Sequence, residues 1–132
     1  MTTIEQLERA AWPDPAPDAG RLVTRCTELR RKPLAEFAIE DLRIMLGQEI
    51  AVPILLPRAV AILLRDPLAE GDHYAGDLLS AVLRLPDSAW SDLRAEQQHL
   101  ASVLAELVAN SAPGDPHPMI YEAITRFLVH RA

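Results

Sequence analysis

Proline placement constrains this chain more than any other feature, because eleven prolines divide an otherwise helical pattern into short lengths. Proline has no N–H and pushes the residue before it out of helical geometry, so each one marks a start, a stop or a break. Between the prolines, apolar residues recur at intervals of three and four, as on helices with one covered face. Thr3 with Gln6, or Thr2 with Glu5, has the form of a capping box and opens a short first helix ending near Trp12. The run PDPAPDAG, Pro13 to Gly20, is a turn-rich connection in which Asp18 is placed to cap the second helix. Leu22, Cys26 and Leu29, widened by Val23, give that helix its stripe, and Pro33 ends it at about Lys32.

Ile39, Leu42, Met45 and Leu46 predict a third helix that Gly47 helps to terminate. Between Pro57 and Asp66 nearly every side chain except Arg58 and Arg65 is apolar, which predicts a central helix with Pro57 in its first turn. Ile50 to Leu56 is β-rich in composition but lies between helices and holds Pro53, so it is not read as a strand. Tyr74, Leu78, Val82 and Leu85, with Leu79 and Leu83 beside them, form the next stripe, which Pro86 and Asp87 end. Trp90 falls in a short turn before the longest helix, Asp92 to Asn110. Leu93, Leu100, Val103, Leu104, Leu107 and Val108 face inward there, while Glu96, Gln97, Gln98 and Glu106 supply its polar side. Ser111 to Pro118 is a loop in which Asp115 is placed to cap a last helix cored by Ile120, Ile124, Phe127 and Leu128. The expected fold is all-α: one domain over residues 1–132, an irregular bundle of about six to seven short helices.

A chain of 132 residues, 49% of them apolar, can bury a sizeable core. Its net charge of −6 disfavours nonspecific nucleic-acid binding, which depends on Lys and Arg neutralising phosphates, and suits a basic partner. Cys26 is the sole cysteine, so no internal disulfide can form, and its apolar neighbours mark it as a small core residue. The N-terminal MTTIEQLERA has no basic segment leading into an apolar stretch, and the most apolar run, Ile50 to Leu64, is broken by prolines and Arg58. Neither secretion nor membrane insertion is expected, and the chain is placed in the cytoplasm.

The acidic turn Glu70-Gly71-Asp72-His73-Tyr74, with Asp77 beyond it, is the one cluster with the residue types of a metal or acid–base site. No second histidine stands at ligand spacing from His73, so the structural reading is preferred. In that reading Asp72 caps the helix carrying Asp77, while Gly71 and Gly76 permit a tight turn and close packing. Arg43 is expected to pair with Asp77 or Asp72 and so pin the third helix to the fifth. The basic run Arg30-Arg31-Lys32 is read as a solvated helix C-terminus. No Gly-rich phosphate loop, nucleophile elbow or His-Glu-x-x-His motif is found.

Order and spacing carry a further signal. Lys32-Pro33-Leu34 leads into Asp41-Leu42-Arg43 and Gly47-Gln48, then Pro57, then Glu70-Gly71-Asp72 with Tyr74, then Gly76-Asp77-Leu78-Leu79. Trp12 followed by prolines, and Arg25-Cys26 before the Leu-Arg run, precede them. In this order the chain resembles the bacterial contact-dependent growth inhibition immunity proteins, over roughly its first two thirds. It departs at Ala75, where the family carries proline, and before Pro57, where the family carries an aromatic.

The resemblance implies an antitoxin that binds the toxin domain of such a system, with no catalysis, cofactor, metal, membrane contact or direct nucleic-acid contact. A nuclease toxin would bring a basic cleft to an acidic face. Candidate faces are Glu36, Glu40 and Asp41 with Glu70 and Asp72, or the polar side of the long helix with Glu96 and Glu106. Motif residues shared by proteins that meet different toxins should serve the fold, which assigns Arg43, Gly71, Gly76 and Asp77 to structure. The sequence sets no oligomeric state. A helical adaptor unrelated to toxins is the alternative, and a small enzyme using Asp72, His73 and Asp77 is a third reading.

Overall fold

A computed structural model describes residues 2–110 and 118–129. Helix α1 (Ile4–Glu8) is followed by α2 (Arg21–Arg30), a 3₁₀ turn (Leu34–Glu36), α3 (Ile39–Gly47) and α4 (Val52–Arg65). Then come α5 (Asp77–Leu83), a second 3₁₀ turn (Asp87–Trp90), α6 (Arg94–Ala109) and α7 (Pro118–Val129). Among the described residues the only extended pairing is an isolated bridge between Glu70 and Ala75, so the all-α expectation holds.

Helix α3 packs on α4 and α5, and α4 also packs on α5. These three form the middle of the bundle. Helix α6 covers α4, α7 lies across α5 and α6, and α1 and α2 close the side next to α3. One continuous apolar cluster runs through it, with Leu29, Met45, Leu55, Leu63, Leu78, Leu79, Leu100 and Ile124 sealed from solvent. Each such side chain stabilises the fold by about 1.5–3 kcal/mol relative to exposure. Trp90 is buried at the end of its 3₁₀ turn and meets Phe127 of α7 at 5.9 Å between ring centres. Cys26 is a free, buried thiol of this core, and burial pushes its pKa up despite the neighbouring Arg25.

The ends of several helices differ from their sequence expectations. Thr3 and Gln6 form the capping box, but α1 stops at Glu8, where Arg9 adopts a left-handed conformation. Gly20, not Asp18, is the N-cap of α2, and no side chain caps it. Only the last two turns of α2 are covered, through Cys26, Thr27, Leu29 and Arg30, so Leu22 and Val23 are exposed. Helix α4 begins at Val52 with Pro53 in its first turn, and Pro57 lies inside it rather than at its start. Both prolines are on the exposed side of the helix, away from the core.

The link between α3 and α4 is unusual in one respect. Ile50 N–H bonds to the Met45 carbonyl at 2.9 Å and Glu49 N–H to the Leu46 carbonyl at 3.0 Å, the paired bonds of a Schellman ending. Its left-handed position, normally glycine, is Glu49 with φ 55°, whereas Gly47 is the last helical residue. Ala51, two residues on, is also left-handed with φ 55°.

Candidate functional site

Two polar nodes draw in several of the charged residues singled out by sequence, among them Asp41, Lys32, Glu40, Arg43 and Asp77. The first joins α2 to α3. Asp41, at the third position of α3, reaches back to the Ala38 N–H at 2.9 Å and receives Lys32 Nζ at 2.6 Å and Arg25 Nη2 at 2.9 Å. Burial alone would raise the pKa of this carboxyl, but Lys32, the Ala38 N–H and Arg25 together hold it below its ordinary value. Asp41 is buried, so it belongs to no exposed acidic face.

Next to this node, Arg30 is sealed from solvent. Its guanidinium bonds to Glu8 and to the Ala10 carbonyl and lies 4.6 Å from the ring centre of Trp12. Arg31 reaches Asp14 at 2.8 Å and the Trp12 carbonyl at 2.8 Å. The basic run is therefore a clasp that holds the N-terminal segment on the bundle, not a solvated helix end. A buried arginine was not legible because its partners lie twenty or more positions away, at Glu8 and Ala10.

The second node joins α3 to the turn before α5. Asp77 accepts the Gly71 N–H at 2.7 Å, the His73 N–H at 3.1 Å and the Tyr74 N–H at 3.4 Å. One buried carboxylate thus shapes the whole acidic turn. Asp72 does not cap α5, whose N-cap is Gly76; its own N–H donates to Glu40 Oε1 at 2.9 Å. Glu40 also accepts Arg43 Nε at 2.7 Å in a two-bond fork, and Arg43 holds its carboxyl below the ordinary range. Arg43 Nε stands 3.9 Å from Asp77, so the α3–α5 connection runs chiefly through Glu40.

Geometry explains the two glycines. A Cβ on Gly71 would lie 2.6 Å from Glu40 Oε1 and 3.0 Å from Asp77 Oδ2. Gly76 has φ 91°, and a Cβ there would meet Ile120 of α7 at 2.6 Å.

The acidic residues read as partner-facing divide into two kinds. Glu40 is largely enclosed by its Arg43 fork. Glu36, Glu70, Asp72, Glu96 and Glu106 are exposed and form no ion pair among the described residues. The first three flank α3 and α5, whereas Glu96 and Glu106 lie on α6, so they span separate elements. Gln97, read as a surface position, is buried and ties to Arg94 at 2.8 Å and Asp87 at 3.3 Å. His73 is exposed and sits 3.9 Å from Glu40. Among the described residues no three His, Cys, Asp or Glu side chains converge as a metal site would require, and no helix is long and apolar enough to cross a membrane. Asp115 lies outside the described residues.

Residues 6–100 match the family described as CDI immunity proteins, and the chain belongs to that family. A search of curated proteins finds no match. The matched span contains both polar nodes, whereas α7 lies beyond it.

Proposed function

We propose that this protein is an antitoxin that binds the toxin domain of its own contact-dependent growth inhibition system one-to-one in the cytoplasm. Membership of the CDI immunity family carries this reading. It acts by occupancy, with no cofactor, no turnover and no nucleic-acid contact of its own. The internal use of Asp41, Glu40 and Asp77 supports it, since these carboxylates are engaged in holding α2, α3 and the α5 turn together. Glu36, Glu70, Asp72, Glu96 and Glu106 keep their charge at the surface, and a basic toxin, such as a nuclease with a cationic cleft, is the partner they suit.

Calorimetric titration of the protein into a catalytically disabled toxin domain encoded beside it tests the proposal. A one-to-one complex of nanomolar affinity or tighter is expected, and charge reversal at Glu70, Asp72, Glu96 and Glu106 then locates the face through slower association. Absence of both heat and co-elution would overturn the reading.

A further inference from the structure

Residues 2–14 are held to the bundle chiefly from one place, the end of α2. Arg30 grips Glu8, the Ala10 carbonyl and the Trp12 ring. Arg31 grips Glu5 at 3.2 Å, Asp14 at 2.8 Å and the Trp12 carbonyl at 2.8 Å. Two adjacent side chains thus anchor the segment from Glu5 to Asp14. Ile4, the buried residue of α1, and a backbone bond from the Leu34 N–H to the Thr2 carbonyl at 2.9 Å complete the attachment.

Two features make this attachment weaker than the bundle it closes. Helix α1 has five residues, well below the roughly 12–15 that a helix needs to persist alone in water, so it lasts only while docked. Arg30 Nε is buried with no hydrogen-bond partner among the described residues. A buried donor left unpaired costs free energy that release to water returns. The closed state therefore carries a penalty located in its own latch.

We infer that residues 2–14 form a strap that releases from the bundle as one unit, before the bundle itself unfolds. Release empties the slot filled by Ile4 and hydrates Arg30, while α3, α4 and α5 keep their mutual contacts. The protein thereby has a second conformation that a partner binding near the end of α2 can select. Leu34 reports the motion. Its N–H belongs to the 3₁₀ turn of the bundle, but its acceptor, Thr2, belongs to the strap. The nearby Arg31 and Lys32 N–H groups bond instead to the Glu28 and Leu29 carbonyls of α2. A strap that leaves as a unit makes Leu34 lose protection with Leu7 and Ala10, and not with its own neighbours.

Native-state amide exchange of the full chain, followed by NMR in urea below the unfolding transition, tests the strap. Leu7, Ala10 and Leu34 are expected to share one opening reaction, with a smaller urea dependence than the opening at Leu63 and Val82 in the core. Arg31→Ala removes strap contacts and is expected to speed exchange at those three amides by one common factor, about fivefold, the upper range for an exposed ion pair. Asp77→Ala weakens the α3–α5 node and is expected to speed exchange at Leu63 and Val82 while leaving the three strap amides unchanged. Leu34 exchanging with the core amides would overturn the strap. So would Arg31→Ala speeding Leu7 and Ala10 but not Leu34, which is fraying of α1 alone. The urea dependence is read on the wild type, so the test stands even where a variant fails to fold.

Discussion

Replacing Asp77 by alanine tests the second polar node directly. Its side chain is 2% exposed and accepts backbone N–H groups from Gly71, His73 and Tyr74 at 2.7, 3.1 and 3.4 Å. The Gly71 donor is half-buried and cannot fully recover its bond from water; such a loss costs about 1–3 kcal/mol. The other two donors belong to exposed residues and regain part of theirs, together adding about 1 kcal/mol. Arg43, 3.9 Å away, keeps its fork to Glu40 and adds little. The sum is about 3 kcal/mol, equivalent to a fall of roughly 10 °C in the midpoint for a domain of this size. Asp77→Asn retains one acceptor oxygen and should fall about half as far. Asp14→Ala is the reference, because that carboxylate is 87% exposed and serves only a surface pair with Arg31. Thermal melts followed by far-UV circular dichroism give the comparison. Equal midpoints for Asp77→Ala and Asp14→Ala would refute the reasoning.

Acid stability depends on Asp41 and Glu40, whose pKa values are lowered from 3.8 and 4.5. In the folded state each holds its proton less tightly than in the unfolded chain, so their contribution is complete above about pH 4.5 and is lost as pH falls below it. Asp41→Asn with Glu40→Gln should therefore flatten the decline of the midpoint below pH 4.5; an unchanged acid limb would show that other groups govern it. Arg30→Ala should lower the midpoint far more than Arg31→Ala, by on the order of 3 kcal/mol of stability, since it strands Glu8 and uncovers Trp12. Equal melts of the two variants would return the basic run to a surface role. Cys26 should resist a thiol reagent until the chain unfolds, because burial raises its pKa; native-state reaction at the rate of free cysteine would contradict its place in the core.

Local rules read well from this sequence, and long-range pairing did not. The Thr3–Gln6 box, the α3 boundaries and the buried stripe of Leu78, Leu79 and Val82 each depend on neighbours within one or two turns, although Tyr74, expected to open that stripe, is exposed and precedes α5. Pro57 misplaced the start of α4 because proline is compatible with a first turn, and an exposed side that tolerates it mid-helix leaves no local mark. Asp72 looked like a cap because it is the right residue type a few positions before α5. The structure uses Asp77 instead, looking backwards at three N–H groups of the turn. Asp41, Arg30 and Gln97 are polar residues whose burial depends on partners in other elements, so composition assigned them to the surface. Glu49 was hidden for a related reason: the glycine signal at Gly47 lies two residues before the position that takes the left-handed conformation.

The division between these groups bears on specificity. Two of the four acidic motif residues that carried the family resemblance face inward: Asp41 and Asp77 are buried, whereas Glu70 and Asp72 are exposed, and Gly71 lets Glu40 and Asp77 approach the turn. A toxin cannot read groups already satisfied inside the protein without first breaking contacts of this scaffold. On the proposed antitoxin reading, discrimination among toxins would rest on exposed residues whose identity the fold does not dictate. Glu96 and Glu106 are exposed residues of this kind, and neither forms an ion pair among the described residues. The same logic orders the exposed acids: a charge reversal at Glu96 or Glu106 touches no internal bond, whereas one at Glu40 would dismantle the α3–α5 node before it reported on binding. A loss of toxin affinity in a Glu40 variant is therefore interpretable only beside its melting curve, while a loss at Glu96 or Glu106 without a lower midpoint would report on the interface itself.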